Sequence, residues 1–336
     1  MIELLKELCS IDGTSGDEAT VRDFIISKLE GFCDFKTDAL GNIIIFKKGA
    51  KKPAKKLMVD AHMDEVGLII TSITADGFLK FKTVGGIDTA SLMFKQVKIG
   101  GSILGVISGK PVHLLSSDEG KKLPKADNLY IDIGVSEKSE AEKLVSIGDR
   151  AVICGEFLRL GDKILSKALD DRIGCAILID MIRKEAMYDF YASFSVQEEI
   201  GLRGAKTAAF GIDPECAIVL EATTAADIAG VAEEDMVCAL GKGAAVSFMD
   251  KATVYDKGFY NAALLSGVRC QPKAAVAGGN NSGAIHLSRE GIRTIAISVP
   301  CRYIHTASCV VDVNDIENAR ILAEYMLNGI CSGEIE

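Results

Sequence analysis

Two glutamates stand side by side in Ser195-Val196-Gln197-Glu198-Glu199-Ile200-Gly201, where the apolar run Tyr191 to Val196 gives way to a glycine-punctuated helix start. Adjacent carboxylates at a strand end diverge, so one can bind a cation while its neighbour stays free to move a proton. Metal-assisted hydrolysis needs that division of labour. Taken alone, the pair would also suit a solvated acidic turn ahead of a helix, whose first turn favours negative charge. Two further stretches weigh against that simpler reading. Leu57-Met58-Val59-Asp60-Ala61-His62-Met63-Asp64-Glu65 is again an apolar strand ending on candidate ligands. His62 and Asp64 share a face if the strand continues, because strand side chains alternate with a period of two. Ser166-Lys167-Ala168-Leu169-Asp170-Asp171-Arg172-Ile173-Gly174 sets paired aspartates just before an apolar helix, where either could also serve as an N-cap. Of the four histidines, His62 and His305 lie in strand-end or loop contexts. His113 and His286 are flanked by apolar residues and are expected to be structural.

The elements that must position these groups alternate. Helical periodicity is expected over Ile2 to Ile11 and Asp17 to Glu30, followed by a hairpin from Cys33 to Lys48 and a strand from Leu57 to Ala61. From about Gly67 to Gly161 the pattern changes to short alternating segments separated by glycine or Asp-Gly turns, the signature of a small all-β barrel or sandwich. Only Glu137 to Val145 looks helical there. Helix and strand then alternate again: Arg172 to Lys184, the Tyr191 strand, Gly201 to Phe210, Cys216 to Ala222, a strand over Lys273 to Ala277, a helix over Ser282 to Glu290, Thr294 to Val299, and Val313 to Cys331. Such alternation predicts an α/β fold with a mainly parallel sheet and helices on both faces. A catalytic domain of residues 1–66 and 162–336 is therefore expected, interrupted by a β-rich, barrel-like insert over 67–161. In such sheets ligands gather outside the carboxyl ends of the strands, and His62, Glu198, Glu199 and Glu221 all fall at or just past such ends.

With 336 residues, 48% hydrophobic and 25% charged, the chain has the composition of a folded protein rather than a disordered one. A net charge of −9 disfavours a nucleic-acid partner. The basic cluster Lys47 to Lys56 reads as a solvated loop between strands. No run approaches the roughly 18 apolar residues that cross a bilayer, and the amphipathic, acid-bearing start lacks the features of a secretory signal. A cytoplasmic protein without membrane partners is expected. The ten cysteines show no C-x-x-C spacing, which argues against zinc-ribbon and redox roles and for reduced packing residues.

The segments H-M-D-E-V-G (62 to 67), V-G-G-I-D (84 to 88), L-D-D-R-I-G (169 to 174), Q-E-E-I-G-L-R-G-A (197 to 205) and P-C-R-Y-I-H-T (300 to 306) resemble, in order and spacing, the M42 peptidases. These are aminopeptidases with two co-catalytic metal ions. The resemblance implies His62 and His305 as ligands, one per metal, Asp170 as the shared carboxylate, and a cis peptide between Asp170 and Asp171. It implies Glu199 as a terminal ligand, Glu198 as general base, and Asp64 as the partner that fixes the His62 ring. Glu221, 22 residues past Glu199 (221 − 199), would be the fifth ligand where many relatives carry aspartate, with Asp227 as a substitute should Glu221 point away. In related enzymes Asp or Glu at this place has been linked to the choice of chain end. Asn281 likewise stands where relatives commonly carry aspartate. The resemblance further implies two divalent metal ions per subunit, zinc or cobalt with manganese tolerated, peptide substrates, and an insert that builds dimers able to assemble into twelve-subunit shells. Deacylase or carboxypeptidase chemistry on the same metals is the alternative. The glycan-hydrolase label of some relatives fits less well, since glycoside cleavage ordinarily uses two carboxylates flanking the bond without metal.

Overall fold

Leu57, Val59 and Ala61 feed one apolar core and Met58 another, as period-two alternation requires of a strand covered on both faces. That strand is central to the computed structural model, which describes residues 1–117 and 121–336 and, of Val112, the backbone alone. Two helices, α1 (Ile2–Ser10) and α2 (Ala19–Leu29), precede β1 (Asp34–Thr37), β2 (Ile43–Lys47) and β3 (Leu57–His62). A barrel follows, made of β4 (Gly67–Ile73), β5 (Leu79–Val84), β6 (Gln96–Ile99), β7 (Ile103–Ser108), β8 (Tyr130–Asp132) and β9 (Arg150–Ile153), with the one-turn α3 (Lys138–Ala141) before its last strand. The chain then returns through β10 (Leu158–Leu160), β11 (Lys163–Ser166), α4 (Leu169–Arg183), β12 (Phe190–Ser195), α5 (Arg203–Ile212) and β13 (Cys216–Thr224). It ends with β14 (Ala244–Val246), α6 (Lys257–Leu264), β15 (Cys270–Pro272), α7 (Ser282–Ile285), β16 (Arg293–Arg302), β17 (Cys309–Asp312) and α8 (Val313–Ser332).

The large sheet runs β1-β2-β12-β3-β13-β16-β17-β11-β10, with β14 and β15 beside β16. Parallel pairing is concentrated in its middle, where β12, β3, β13 and β16 lie side by side, while antiparallel pairs widen both flanks. Register brings Ser195 level with His62 and Glu221 level with Ser298, so neighbouring strands release their next residues at one edge. Helices α1, α2, α4, α6 and α8 pack on one face. Ala205, Ala208, Ala209 and Ile212 of α5 close the other against Met58, Ala217 and Val219. The barrel closes in the order β4-β5-β8-β7-β6-β9 around its own core of Leu68, Ile70, Leu79, Phe81, Val97 and Ile131, among others.

Three expected elements differ. Lys273 to Ala277 is not a strand: its first amides donate to Val246 O (2.9 Å), at the end of β14, and to Val237 O (2.8 Å), so the segment crosses from one neighbour to another. The helix expected to Glu290 ends at Ile285, and Arg289 adopts a left-handed φ of 55°, which an α-helix cannot continue. The helix expected over 137–145 shrinks to α3. All ten cysteines are free thiols, and no described helix is long and apolar enough to cross a membrane.

Candidate metal centre

His62 is the last residue of β3 and lies 1% exposed at the carboxyl edge of the sheet. Its Nε2 stands 3.3 Å from Asp170 Oδ1 and 3.4 Å from Glu221 Oε1. The other Asp170 oxygen, Oδ2, lies 3.2 Å from Nε2 of His305, which is also 3.2 Å from Glu199 Oε1. One carboxylate thus faces two imidazoles, each completed by a different glutamate. Asp170 can point this way because regular helix begins only at Arg172: Asp170 and Asp171 keep non-helical backbone and are joined by a cis peptide. Capping falls to Asp171, whose Oδ1 accepts from Gly174 N (2.9 Å) and whose Oδ2 accepts from His62 N (3.3 Å).

Behind this edge, Asp64 ties the converging segments together. Its Oδ1 lies 3.3 Å from His62 Nδ1 and accepts the Glu198 N–H at 3.0 Å. Its Oδ2 accepts from Glu199 N (3.1 Å) and from the Ser15 hydroxyl (2.6 Å). One buried carboxylate therefore sets the His62 ring and both backbone amides of the glutamate pair. Burial works to raise its pKa, but His62, Ser15 and the Glu198 amide outweigh this and hold it below the usual range. Beneath, the fully buried Arg172 donates to Met63 O (2.9 Å) and Ile11 O (3.1 Å), while Lys167 Nζ meets both Glu65 oxygens at 2.7 and 2.9 Å. This network locks the exit of β3 to α1 and to the segment carrying Asp170.

His305, with φ of 61°, follows β16 and turns its Nδ1 to the Gly86 carbonyl at 2.8 Å. Gly86 belongs to the loop leaving β5, so the barrel contributes a backbone oxygen that aims the opposite ring nitrogen at Asp170 and Glu199. The neighbouring Gly85 has φ of 84°, and a Cβ there would sit 2.8 Å from Val66 Cγ1 and 3.2 Å from Glu199 Cβ. Only glycine lets the loop approach so closely.

Carboxylates crowd this edge. Burial, joined by Asp170, pushes Glu221 up to about 8, and burial with Glu221 and Asp170 drives Asp171 well above its usual range. Glu198 is likewise raised, by burial and then by Glu221, Glu199 and Asp64, with His62 opposing. The imidazoles are raised against their own burial, His305 to about 12, by the acids around them. Glu199 Oε1 and Glu221 Oε2 are buried without a hydrogen bond. Clusters of one imidazole with two carboxylates, His62 with Asp171 and Glu221 or with Asp170 and Glu199, place donor atoms within 4.8 Å of one another. Buried anions without partners are costly and call for a cation, and N/O donors of this kind suit divalent metals. The donor set fits a metal centre.

A family model described as M42 glutamyl aminopeptidase matches residues 41–322. The chain belongs to the M42 peptidase family. Members are metal-dependent, and this M42 protein is a metallo-aminopeptidase that hydrolyses peptide bonds. It is 32% identical to the lysyl aminopeptidase of Pyrococcus furiosus over 97% of this chain and 96% of that one. Among solved structures it resembles an aminopeptidase of the archaeon Desulfurococcus kamchatkensis (TM-score 0.91, 35% identity, 96% of this chain and 93% of that). It also resembles the Pyrococcus horikoshii TET1 peptidase, described as able to assemble into a tetrahedron or a large octahedral shell (TM-score 0.84, 33% identity, 97% and 98% covered).

Several residues fall elsewhere than their sequence context implied. Asp227 points away from the M42 centre: it receives a two-pronged contact from Arg302, both bonds 2.7 Å, and the Leu240 N–H at 3.0 Å. Glu221 does not point away, so no substitute is needed. Asn281 lies beneath the strands rather than in the cleft, donating to Asp60 Oδ2 (2.7 Å) and Ser195 Oγ (2.8 Å). An aspartate there would oppose the buried Asp60, which burial already pushes up to about 6. His113 is exposed in a single 3-10 turn and is no core histidine, its apolar sequence neighbours notwithstanding. The residues that sequence reasoning missed are Ser15, Gly86 and the Glu65–Lys167–Arg172 network. Gly86, Glu65 and Arg172 lie within the quoted motifs, whereas Ser15 and Lys167 lie outside all of them.

Proposed function

We propose that the centre holds two divalent ions, zinc or cobalt with manganese tolerated, and removes N-terminal residues from peptides. His62 and Glu221 would bind one ion, His305 and Glu199 the other, and Asp170 both. The observation carrying this reading is the Asp170 carboxylate, whose two oxygens lie 3.3 and 3.2 Å from Nε2 of two different histidines. Bound metal supplies a polarised carbonyl and a water acidic enough to ionise near neutral pH.

The chain's own groups do the rest. Glu198 lines the cleft, and its carboxylate accepts no hydrogen bond from the described residues. It is free to take the proton of the attacking water and to return it to the leaving amine. Asp64 holds the amide of Glu198 and the ring of His62 in one register, so base and ligand keep a fixed relation. Residues 1–66 and 162–336 would form the catalytic unit and 67–161 a unit for subunit contact. Phe94, Leu104 and Ile147 are exposed on that barrel-bearing segment, which supports a homo-oligomer built through it. Dimers, in the extreme twelve of these chains, and a cytoplasmic setting complete the reading.

The test is hydrolysis of aminoacyl-anilides against N-blocked peptides by the metal-loaded protein. Cleavage of the free-amine substrates alone is expected, and cleavage of only the blocked ones would replace this reading with deacylase or carboxypeptidase action.

A further inference from the structure

Glu18 stands at the N-cap of α2, yet its side chain makes no capping bond to that helix. It is 6% exposed, and its Oε1 turns the other way: it accepts from Gly16 N at 2.8 Å and, across 179 positions, from Gln197 N at 3.0 Å. Preferred N-cap residues are shorter than glutamate, so a capping role explains neither the identity of this residue nor its direction. What it reaches is the residue just ahead of the glutamate pair.

Three consecutive amides thus end on two carboxylates: Gln197 N on Glu18 Oε1, Glu198 N on Asp64 Oδ1 (3.0 Å) and Glu199 N on Asp64 Oδ2 (3.1 Å). Gln197 itself holds a left-handed φ of 57°. An L-residue adopts that conformation at a cost and keeps it where its surroundings impose it. The other side of the turn is closed as well, since Gly201 N and Leu202 N both donate to Glu198 O at 2.9 Å and Arg203 N donates to Gln197 O at 3.2 Å. The segment that carries Glu18 is anchored too: Ser15 N donates to Glu65 O (3.3 Å), Glu65 N to Gly13 O (2.9 Å) and the Ser15 hydroxyl to Asp64 Oδ2 (2.6 Å). The Gln197 side chain reaches only Arg203, at 3.5 Å on the surface. Its backbone is what the clamp holds.

We propose that Glu18 is a positioning residue for the hydrolysis: by holding the Gln197 amide it imposes the left-handed turn that fixes the direction in which Glu198 leaves the backbone. This rests on the reading of Glu198 as general base. A helix cap, or a mere negative charge at the start of α2, would make the opposite demands on the side chain. Glu18→Asp keeps the charge and improves the cap, but withdraws the carboxylate from Gln197 by one methylene. Glu18→Gln abolishes the charge, but keeps an oxygen able to accept both amides.

The test measures kcat and KM on the best-cleaved aminoacyl-anilide for the metal-loaded wild type, Glu18→Asp, Glu18→Gln and the double variant Glu18→Asp/Gln197→Gly, with metal content and thermal melts alongside. Hydrogen–deuterium exchange over residues 191–202 of the metal-free proteins is a readout independent of turnover. Glu18→Asp should lower kcat by about 10- to 100-fold, the scale of a misplaced catalytic group, with KM and metal content near wild type. It should also speed exchange at the turn by about 10-fold, as the loss of one hydrogen bond does. Glu18→Gln should stay near wild type in both readouts. Adding Gln197→Gly to Glu18→Asp should restore most of the lost kcat, because glycine takes a φ of 57° without strain. Wild-type kcat in Glu18→Asp, a loss confined to KM, a Glu18→Gln variant as impaired as Glu18→Asp, or a double variant no better than Glu18→Asp alone overturns the proposal. Should Glu18→Asp not fold, Glu18→Ala takes its place with the same expectations. If the wild type cleaves no anilide, or Glu198→Gln turns over as fast as wild type, the reading of the site fails instead. Exchange then still decides whether Glu18 holds the turn, and unchanged protection in Glu18→Asp would dismiss it.

Discussion

The α/β body and the barrel both have closed apolar cores, yet they serve the centre in opposite ways. The body supplies side chains from strand ends held level by the ladder, as Ser195 opposite His62 illustrates. Among the described residues the barrel supplies no acid or imidazole to the centre, but a carbonyl, that of Gly86, set against His305. Side chains at a sheet edge can change without disturbing the strands behind them. A backbone contact depends on the path of its whole loop, hence the need for glycine at Gly85, where a Cβ would strike Val66. Chemistry therefore belongs to the body and orientation to the barrel.

The largest effect that would sharpen this contrast is expected in the body. Glu198→Gln keeps the shape and the Asp64 contact to the main chain but removes the base, so kcat should fall on the order of 10² to 10⁴ while metal content, measured by elemental analysis, stays unchanged. Unaltered turnover would take Glu198 out of its role. A middle effect is expected from the barrel loop. Gly85→Ala, strained at φ of 84°, should move Gly86 off His305 and weaken metal affinity by about 10-fold, the lower end for loss of a ligand's hydrogen-bond partner. A chelator competition giving wild-type affinity would break the comparison, since the barrel would then be dispensable to the centre.

The smallest effect should come from a pair in the body that makes no contact with the centre. Burial tends to raise Asp227, but Arg302 and the Leu240 amide hold it below the usual carboxylate range. A carboxyl with a depressed native pKa adds stability that is complete above the unfolded value near 3.9 and is lost as pH falls through the native one. Asp227→Asn should thus melt roughly 2–4 °C below wild type at pH 7, with the gap closing on acidification below about pH 4. A gap that widens in acid would reverse the sign of the coupling.

What the sequence disclosed follows the same divide. His62, Glu198, Glu199 and Glu221 were legible because each lies in or just past the carboxyl half of an apolar strand, which local periodicity locates, although Glu221 stands inside β13 rather than at its end. Their convergence with Asp170 and His305 was legible only through resemblance, since nothing local says that residues 170 and 305 meet. The pairing of Asp227 was not legible because its partner, Arg302, is 75 positions away (302 − 227). The Lys273 segment read as a strand because of its short apolar run, but its first amides bond to two different neighbours, Val246 at the end of β14 and Val237. The Gly86 carbonyl carried no side-chain signal whatever, and its contact with His305 spans 219 positions.

The shared Asp170 has a consequence for the life of the chain before it is complete. Its two imidazole neighbours are separated by 243 positions (305 − 62), so a growing polypeptide has made its first histidine long before the last one leaves the ribosome. Contacts of such span form late and reward the chain only once the intervening loops have closed. The two-imidazole arrangement is thus completed only late in the fold, and a chain cut short before His305 would leave Asp170 Oδ2 and Glu199 Oε1 without the imidazole that faces them.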